Sequence, residues 1–106
     1  MINQRELEIL NILWRSPEPV MVTEIIDADE TKNLTQSTVT AVIRKLLNSD
    51  LVEVCGVKHS GKVLSRTYKP TEKSRDIIVE NILDMYRTIR HVVPPNELAK
   101  IIKERL

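Results

Sequence analysis

The sequence predicts a mainly α-helical fold with one small antiparallel β-hairpin. It divides into an N-terminal domain at residues 1–70 and a C-terminal helical element at residues 71–106. Apolar residues recur at helical spacing in three segments before residue 50 and again after residue 71. Between them the apolar period changes to two, as in strands. A chain of 106 residues is long enough for one well-buried core but not for two.

The first helix is expected to begin after Asn3, because the run Asn3–Glu6 has the form of a capping box. Apolar residues follow at helical spacing: Leu7, Leu10, Leu13 and Trp14, with Ile9 and Ile12 widening the stripe. The helix must end near Ser16, because Pro17 and Pro19 cannot continue its hydrogen bonding.

Two more helices are expected before residue 50. A short one runs from about Val22 to Ala28 and buries Ile25 and Ile26. The third runs from Gln36 to about Ser49, with Thr35 as its N-cap. Its apolar stripe is Val39, Val42, Ile43, Leu46 and Leu47. Its opposite face carries small polar and basic residues: Ser37, Thr38, Thr40, Ala41, Arg44, Lys45 and Asn48.

The segment Gly56–Val63, GVKHSGKV, is one letter from the phosphate-loop pattern G-x-x-x-x-G-K-[ST]. A phosphate loop opens a helix, whereas residues 64–69 are rich in strand-forming residues. Position 63 is Val, so the hydroxyl that would bind Mg²⁺ is missing. We therefore predict a hairpin whose strands cover about residues 51–57 and 64–69. Its tip, residues 58–63, carries Lys58, His59 and Lys62.

A long C-terminal helix is predicted by a heptad-like seam. Its members are Ile78, Ile82, Met85, Ile89 and Val92, separated by 4, 3, 4 and 3 residues. Pro94 and Pro95 break this helix, and Asn96 can cap a last helix in which Leu98, Ile101 and Ile102 share a face. These eight apolar residues are candidate dimer contacts, although the seam could equally fold back on its own domain.

Composition narrows the class of function. The net charge is only +1, but residues 35–69 have a net charge of +4 and residues 1–34 a net charge of −4. A basic middle third of this kind attracts a polyanion. The single cysteine excludes an internal disulfide and a C-x-x-C site, and we expect Cys55 to be a small buried hydrophobe. No spacing indicates a catalytic triad or a metal site, so we expect neither an enzyme nor a cofactor.

The order helix–helix–helix–strand–strand is that of a winged helix-turn-helix, which suggests double-stranded DNA as the partner. The major groove admits one helix, and short side chains allow close approach. Candidate contacts are Gln36, Ser37, Thr38, Thr40, Ala41, Arg44 and Lys45 on the helix, with Lys58, His59 and Lys62 on the hairpin. The alternatives are a winged-helix module that binds protein, or a regulator with a ligand pocket between its two parts. No signal peptide or membrane segment is visible, so we expect a cytoplasmic protein.

Residues 3–70 resemble the penicillinase-repressor family, which includes methicillin-resistance and copper-responsive repressors. The matching segments are ELEILNILW at 6–14, TEII at 23–26, STVT at 37–40, Leu46-Leu47 and YKP at 68–70. The resemblance implies a homodimeric repressor of an inverted-repeat operator. Its third helix would enter the major groove, its wing would contact the DNA backbone, and its C-terminal helices would hold the dimer.

The sequence departs from the family pattern at several points. Val22 stands where a polar N-cap is expected. Asp50 replaces the usual glycine after the third helix, so either Asp50 tolerates a left-handed conformation or the helix ends differently. Copper-responsive members use a cysteine cluster, and β-lactam-responsive members are cleaved by a partner protease at an Asn-Phe bond. This sequence has one Cys and no Phe, so its inducer or protease partner stays open.

Overall fold

Helices α1 (Gln4–Arg15), α2 (Val22–Ala28) and α3 (Gln36–Asn48) pack together in the computed structural model, which describes residues 2–106. They are followed by an antiparallel hairpin of β1 (Val52–Ser60) and β2 (Val63–Pro70). Helices α4 (Glu72–Ile89) and α5 (Pro95–Arg105) complete the chain. The predicted fold class, mainly helical with one antiparallel hairpin, is confirmed.

The core is aliphatic and belongs to the N-terminal part of the chain. It consists of Ile9, Leu10, Ile12, Leu13, Ile25, Leu34, Val39, Ile43, Leu46, Leu51 and Val52. The apolar stripes predicted for α1 and α3 supply most of it, with Val42 and Leu47 packed at its edge. Trp14, the last member of the predicted α1 stripe, lies at the surface outside this core. Its indole N–H donates a 3.0 Å hydrogen bond to Ser74 Oγ, which is fully buried.

The helix starts follow local hydrogen bonding. The capping box of α1 is confirmed: the Glu6 amide donates to Asn3 Oδ1, and the Asn3 amide donates to Glu6 Oε1. Thr35 caps α3 as predicted, accepting from the Thr38 amide. At α2 the cap position is Met21 rather than Val22. Met21 has no polar side chain, and its amide instead donates to Glu24 Oε1 at 3.0 Å.

The hairpin is longer and tighter than predicted. Strand β1 continues to Ser60 and β2 begins at Val63, so the turn is only Gly61-Lys62, with Gly61 at φ 65°. A glycine with positive φ at the first turn position suits a two-residue hairpin loop. The hairpin over the GVKHSGKV segment is confirmed. Lys58 and His59, however, lie on β1 rather than at the tip.

Cys55 is exposed, which contradicts the prediction of a buried residue. Val54 pairs with Tyr68 and Gly56 pairs with Thr67, so Cys55 is the extra residue of a β-bulge. In β1, Val52 at the base is the residue that is buried, because the hairpin projects away from the core. The period-two pattern therefore marked the strand correctly but not its burial.

Helix α4 ends at Ile89, three residues before the last member of the predicted seam. Val92 lies in the following turn, where its amide donates to the Ile89 carbonyl at 2.8 Å. The prediction that Asn96 caps the last helix is also wrong, because α5 begins at Pro95 with Pro94 as its N-cap. Proline suits this first position, since its missing amide hydrogen would have no partner there. Among residues 2–106, no helix is long and apolar enough to cross a membrane.

Candidate nucleic-acid interface

The exposed face of α3 brings together five of its seven predicted contact residues. They line one shallow surface: Gln36, Ser37, Thr40, Ala41 and Arg44. Successive residues of a helix turn by about 100°, so positions 36, 37, 40, 41 and 44 fall on one side. The side chains of Ile43 and Leu46 anchor the opposite side in the core. The result is a helix face of short side chains with one guanidinium near its C-terminal end.

The other two residues, Thr38 and Lys45, lie on the flank of α3 that faces α1. Thr38 is half-buried, and its hydroxyl is 2.9 Å from Thr35 Oγ1 within the cap. Lys45 Nζ is 3.5 Å from Glu6 Oε1, and Glu6 is itself buried. Both residues therefore have structural partners. The Lys45 side chain is nonetheless 63% exposed.

A second basic residue, Arg66, lies where β2 meets α3. It lines two small clefts of about 200 Å³ together with Thr40 and Tyr68, and Arg44 borders one of them. Sequence reasoning counted the charge of Arg66 but did not assign it to the site. The strand period places Arg66 on the same face as Tyr68, but that this face packs against the core is a property of the folded chain.

The hairpin carries the three predicted cationic or titratable residues along its exposed length. Lys58 and His59 lie on β1 and Lys62 lies in the turn, and all three are exposed. Lys58 is already paired, with Nζ 2.9 Å from Glu24 Oε2. Lys62 forms no ion pair with any residue that the structure describes. The two lysines therefore differ in the charge they present to a ligand.

Glu24 is an acid beside this basic surface, paired with Lys58. Its pKa is lowered, first by the hydrogen bond from the Met21 amide and then by the bond from Lys58. Glu24 is therefore a carboxylate at neutral pH and holds one lysine of the hairpin. Over residues 2–106, no cluster of His, Cys, Asp and Glu is arranged to hold a metal ion.

The apolar residues predicted for dimerisation are largely exposed. Within α4, Ile78 packs at the edge of the core, whereas Ile82 is 55% and Met85 66% exposed; Ile89 is also exposed. Val92 is 82% exposed in the turn after α4. On α5, Leu98 and Ile101 are half-buried and Ile102 is exposed. Beyond Ile78 the seam does not fold back on the N-terminal part of its own chain.

A groove of about 490 Å³ separates α1 from the first turns of α4. Its walls are apolar, and two polar side chains border it; the lining residues are Leu7, Asn11, Trp14, Arg75, Ile78 and Val79. This volume is in the range of small-molecule sites. Arg75 forms no ion pair within residues 2–106.

Comparison with known proteins identifies both the family and the fold. The family model described as "Penicillinase repressor" matches residues 2–105. No curated protein matches the chain in sequence.

Among solved structures, the chain is similar to a mutant of MepR from a multidrug-resistant S. aureus isolate. The TM-score is 0.63 at 15% identity, over 97% of this chain and 73% of that one. It is also similar to a PadR family transcription regulator from Clostridium difficile, with TM-score 0.58 and 18% identity, over 85% and 94% of the two chains. The Helicobacter pylori ferric uptake regulator Fur matches with TM-score 0.54 and 22% identity, over 66% of this chain but only 45% of its own length.

Proposed function

Because the chain belongs to the penicillinase repressor family, we propose that this DNA-binding transcriptional regulator is a repressor that binds an inverted-repeat operator as a homodimer. Its site of action is then the cytoplasm, where the DNA is. The single observation that carries the proposal is the exposed face of α3, with its short polar side chains beside a basic cleft.

In the proposed complex, α3 enters the major groove and reads base edges. Ser37 and Thr40 are short enough for the helix backbone to come close to the bases, and hydroxyls bond to either donors or acceptors there. Arg44 follows on the same side and is placed for a guanine edge or a phosphate. Gln36 and Ala41 complete this face. Thr38 and Lys45, on the flank toward α1, would meet the DNA backbone beside the groove.

The hairpin acts as a wing that contacts the DNA backbone. Lys62 is the wing lysine without a partner in the described chain, so it is the one best placed to neutralise a phosphate. Arg66 beside α3 adds to the same basic surface. The exposed imidazole of His59 on β1 can donate a hydrogen bond to a phosphate. Each phosphate neutralised releases bound counterions, so affinity should fall steeply with salt.

Residues 1–70 form the DNA-binding part in this proposal, and residues 71–106 hold two copies together. The exposed apolar residues of α4 and α5 would meet their equivalents across a twofold axis. Two copies of α3 would then read two half-sites about one helical turn, or a small multiple, apart.

Substitutions on α3 and on the wing should separate base recognition from phosphate binding. Ser37→Ala and Thr40→Ala should reduce preference for the operator over random duplex, because they remove base contacts. Lys62→Ala should weaken all duplexes alike and lower the salt slope by about one. Genomic fragments selected by binding would supply the operator, and titrations at several salt concentrations would give both quantities.

Lys100→Ala on α5 is a matched control and should change neither specificity nor the salt slope. If Ser37→Ala and Thr40→Ala shift operator and random affinity by the same factor, α3 is not the recognition helix. If wild type retards no genomic fragment at low salt, the hairpin or C-terminal helices bind protein instead.

The groove between α1 and α4 supports a second function, control of DNA binding by a small effector. It lies at the junction of the two proposed parts, and its apolar walls with Arg75 at the rim suit an amphipathic anion. Trp14 borders the groove and is the only tryptophan of the chain. Small aromatic carboxylates should therefore change Trp14 fluorescence, and Arg75→Gln should weaken the change. Unaltered fluorescence across such compounds would exclude this function.

A further inference from the structure

Glu24 connects two elements through the two oxygens of one carboxylate. Oε1 accepts from the Met21 amide at 3.0 Å, at the start of α2, and Oε2 accepts from Lys58 Nζ at 2.9 Å, on the wing. The first bond fixes the carboxylate against a rigid helix end. The second therefore ties the wing to a fixed point.

The outer half of the wing has little else to hold it. Its apolar side chains, Val57, Val63 and Leu64, are all exposed, so none of them attaches it to the core. At the base, the amides of Val20 and Tyr68 exchange hydrogen bonds of 3.0 and 2.8 Å. Beyond that bridge, the bond from Lys58 to Glu24 is the one hydrogen bond or ion pair that joins residues 56–66 to a helix within the described chain.

The outer half of a two-stranded hairpin is weakly held when none of its apolar side chains is buried, because isolated hairpins are marginally stable in water. Small changes at its base would swing the turn, and with it Lys62, relative to α3. Holding Lys58 on β1 fixes the hairpin beyond its base and on the side of α2. The bond is therefore placed where it can restrict the direction of the wing.

We propose that Glu24 is a positioning residue for DNA binding, which orients the wing against α3 by holding Lys58. The inference rests on the proposed function of the wing as a contact to the DNA backbone. It assigns different roles to the two wing lysines: Lys62 neutralises a phosphate, whereas Lys58 stays on Glu24 and adds nothing to counterion release.

Replacing Glu24 by Gln tests whether Glu24 positions the wing or only adds a negative charge near the DNA. These two roles predict opposite changes in DNA affinity. Gln at this helix position still accepts a hydrogen bond from the Met21 amide, so α2 keeps its cap. By Coulomb attraction alone, removing a negative charge beside the basic surface should tighten DNA binding. If Glu24 instead orients the wing, Glu24→Gln should weaken operator binding about two- to fivefold, as expected for an exposed ion pair.

A double-mutant cycle identifies the partner. Lys58→Met keeps most of the side-chain stem and should weaken binding to a similar degree as Glu24→Gln. The double variant should be no weaker than either single variant, because the same bond is lost. Lys58→Arg should restore most of the affinity. The salt slope should stay unchanged in Lys58→Met and fall by about one in the matched variant Lys62→Met.

Tighter binding by Glu24→Gln, or a salt slope that falls by about one in Lys58→Met, would overturn the inference and make Lys58 a phosphate contact. Amide relaxation of the free protein gives a readout that does not depend on DNA. Residues 57–66 should become more mobile in Glu24→Gln and in Lys58→Met. Unchanged mobility overturns the positioning role, whereas absence of DNA binding by wild type overturns the proposed function of the wing.

Discussion

At the scale of single residues, Asp29 organises the turn between α2 and α3. Its carboxylate accepts four hydrogen bonds: from the Thr31 hydroxyl at 2.7 Å and from the amides of Thr31, Asn33 and Leu34 at 3.1, 2.9 and 2.9 Å. The side chain thus satisfies backbone groups in a segment that has no regular structure. Because this turn connects α2 to α3, Asp29 contributes to the geometry of the proposed DNA-binding face.

The ionisation of Asp29 should make stability depend on pH. The hydrogen bond from Thr31 chiefly, and those from the three amides, lower its pKa below the ordinary value while burial opposes them. Because the pKa of Asp29 is lower in the folded state, the ionised side chain stabilises the fold. This contribution to the free energy of unfolding is complete above the pKa of the unfolded chain, about 3.9. It is lost as pH falls through the still lower folded pKa. Asp29→Asn should therefore be less stable than wild type at pH 7, and the difference should shrink below about pH 4.

Urea unfolding between pH 7 and pH 2.5 measures this difference directly. The matched control is Asp27→Asn on α2, an exposed residue whose side chain accepts no hydrogen bond in the described chain. Its free energy of unfolding should equal that of wild type at every pH. A stability difference for Asp29→Asn that is the same at pH 7 and pH 3 would show that its charge does not contribute.

Residue roles were predictable where the partners are close in sequence and in regular structure. Asn3 and Glu6 form a box three residues apart on a helix, so their bonds follow from spacing alone. The Thr31 amide, two residues ahead of Asp29, has the spacing of an Asx turn, whereas the amides four and five residues ahead lie in an irregular turn and follow no such rule. Arg66 and Glu24 required knowledge of which strand face meets which helix, and that is a tertiary property.

At the scale of elements, the end of α3 depends on a residue in a strained conformation. Asp50 has φ 60°, and its amide donates to the Leu47 carbonyl while the Leu51 amide donates to the Leu46 carbonyl. These two bonds form a Schellman motif, in which the left-handed position normally suits glycine. Of the two alternatives that the sequence left open, a left-handed Asp50 or a different helix end, the structure shows the first. Leu51 then turns into the core and begins the path to the wing.

Asp50→Gly should stabilise the fold by about 0.5–1 kcal/mol, because glycine adopts positive φ without steric cost. Part of that gain is offset by the greater freedom of glycine in the unfolded chain. Urea unfolding at constant pH measures the net change in the free energy of unfolding. Ser49→Gly is the neighbouring control: Ser49 has φ −95°, so glycine there should not stabilise. Equal stability of Asp50→Gly and wild type would mean that the aspartate is not strained.

Element types followed from the sequence more reliably than element ends. The change of apolar period from helical to two identified both strands, because it reflects backbone geometry. Strand β1 nevertheless extends to Ser60, since the length of a strand depends on cross-strand pairing rather than on burial. The seam continues to Val92 in sequence, but α4 ends at Ile89. The residues between Ile89 and Pro94 already belong to the turn that leads to the two prolines.

At the scale of the whole molecule, the apolar residues divide into a buried set and an exposed set. The buried set forms the core of the N-terminal part, whereas neither α4 nor α5 has a buried apolar residue among those described. The exposed set includes Val79, Ile82, Leu83 and Met85 along α4. Exposed apolar surface on this scale marks an interaction site. Its continuity along one helix face favours a second copy of the same helix as the partner.

Dimerisation through this face should therefore be sensitive to one charge placed within it. Ile82→Asp should weaken self-association by about 100-fold or more, because an unpaired carboxylate would be buried between the two helices. The monomer should keep its N-terminal core, since Ile82 does not contact it. Loss of the dimer should also lower operator affinity, because the two half-sites would no longer be bound by one linked pair of domains. Sedimentation analysis and circular dichroism give the mass and the helix content.

Thr88→Asp is the matched control for this prediction. It places the same charge on the same helix about 120° around the axis from Ile82, outside the seam. It should sediment and bind the operator as wild type does. If wild type is monomeric at micromolar concentration and Ile82→Asp binds the operator equally well, the C-terminal helices do not form the dimer. The exposed apolar face of α4 would then have to bind a different protein.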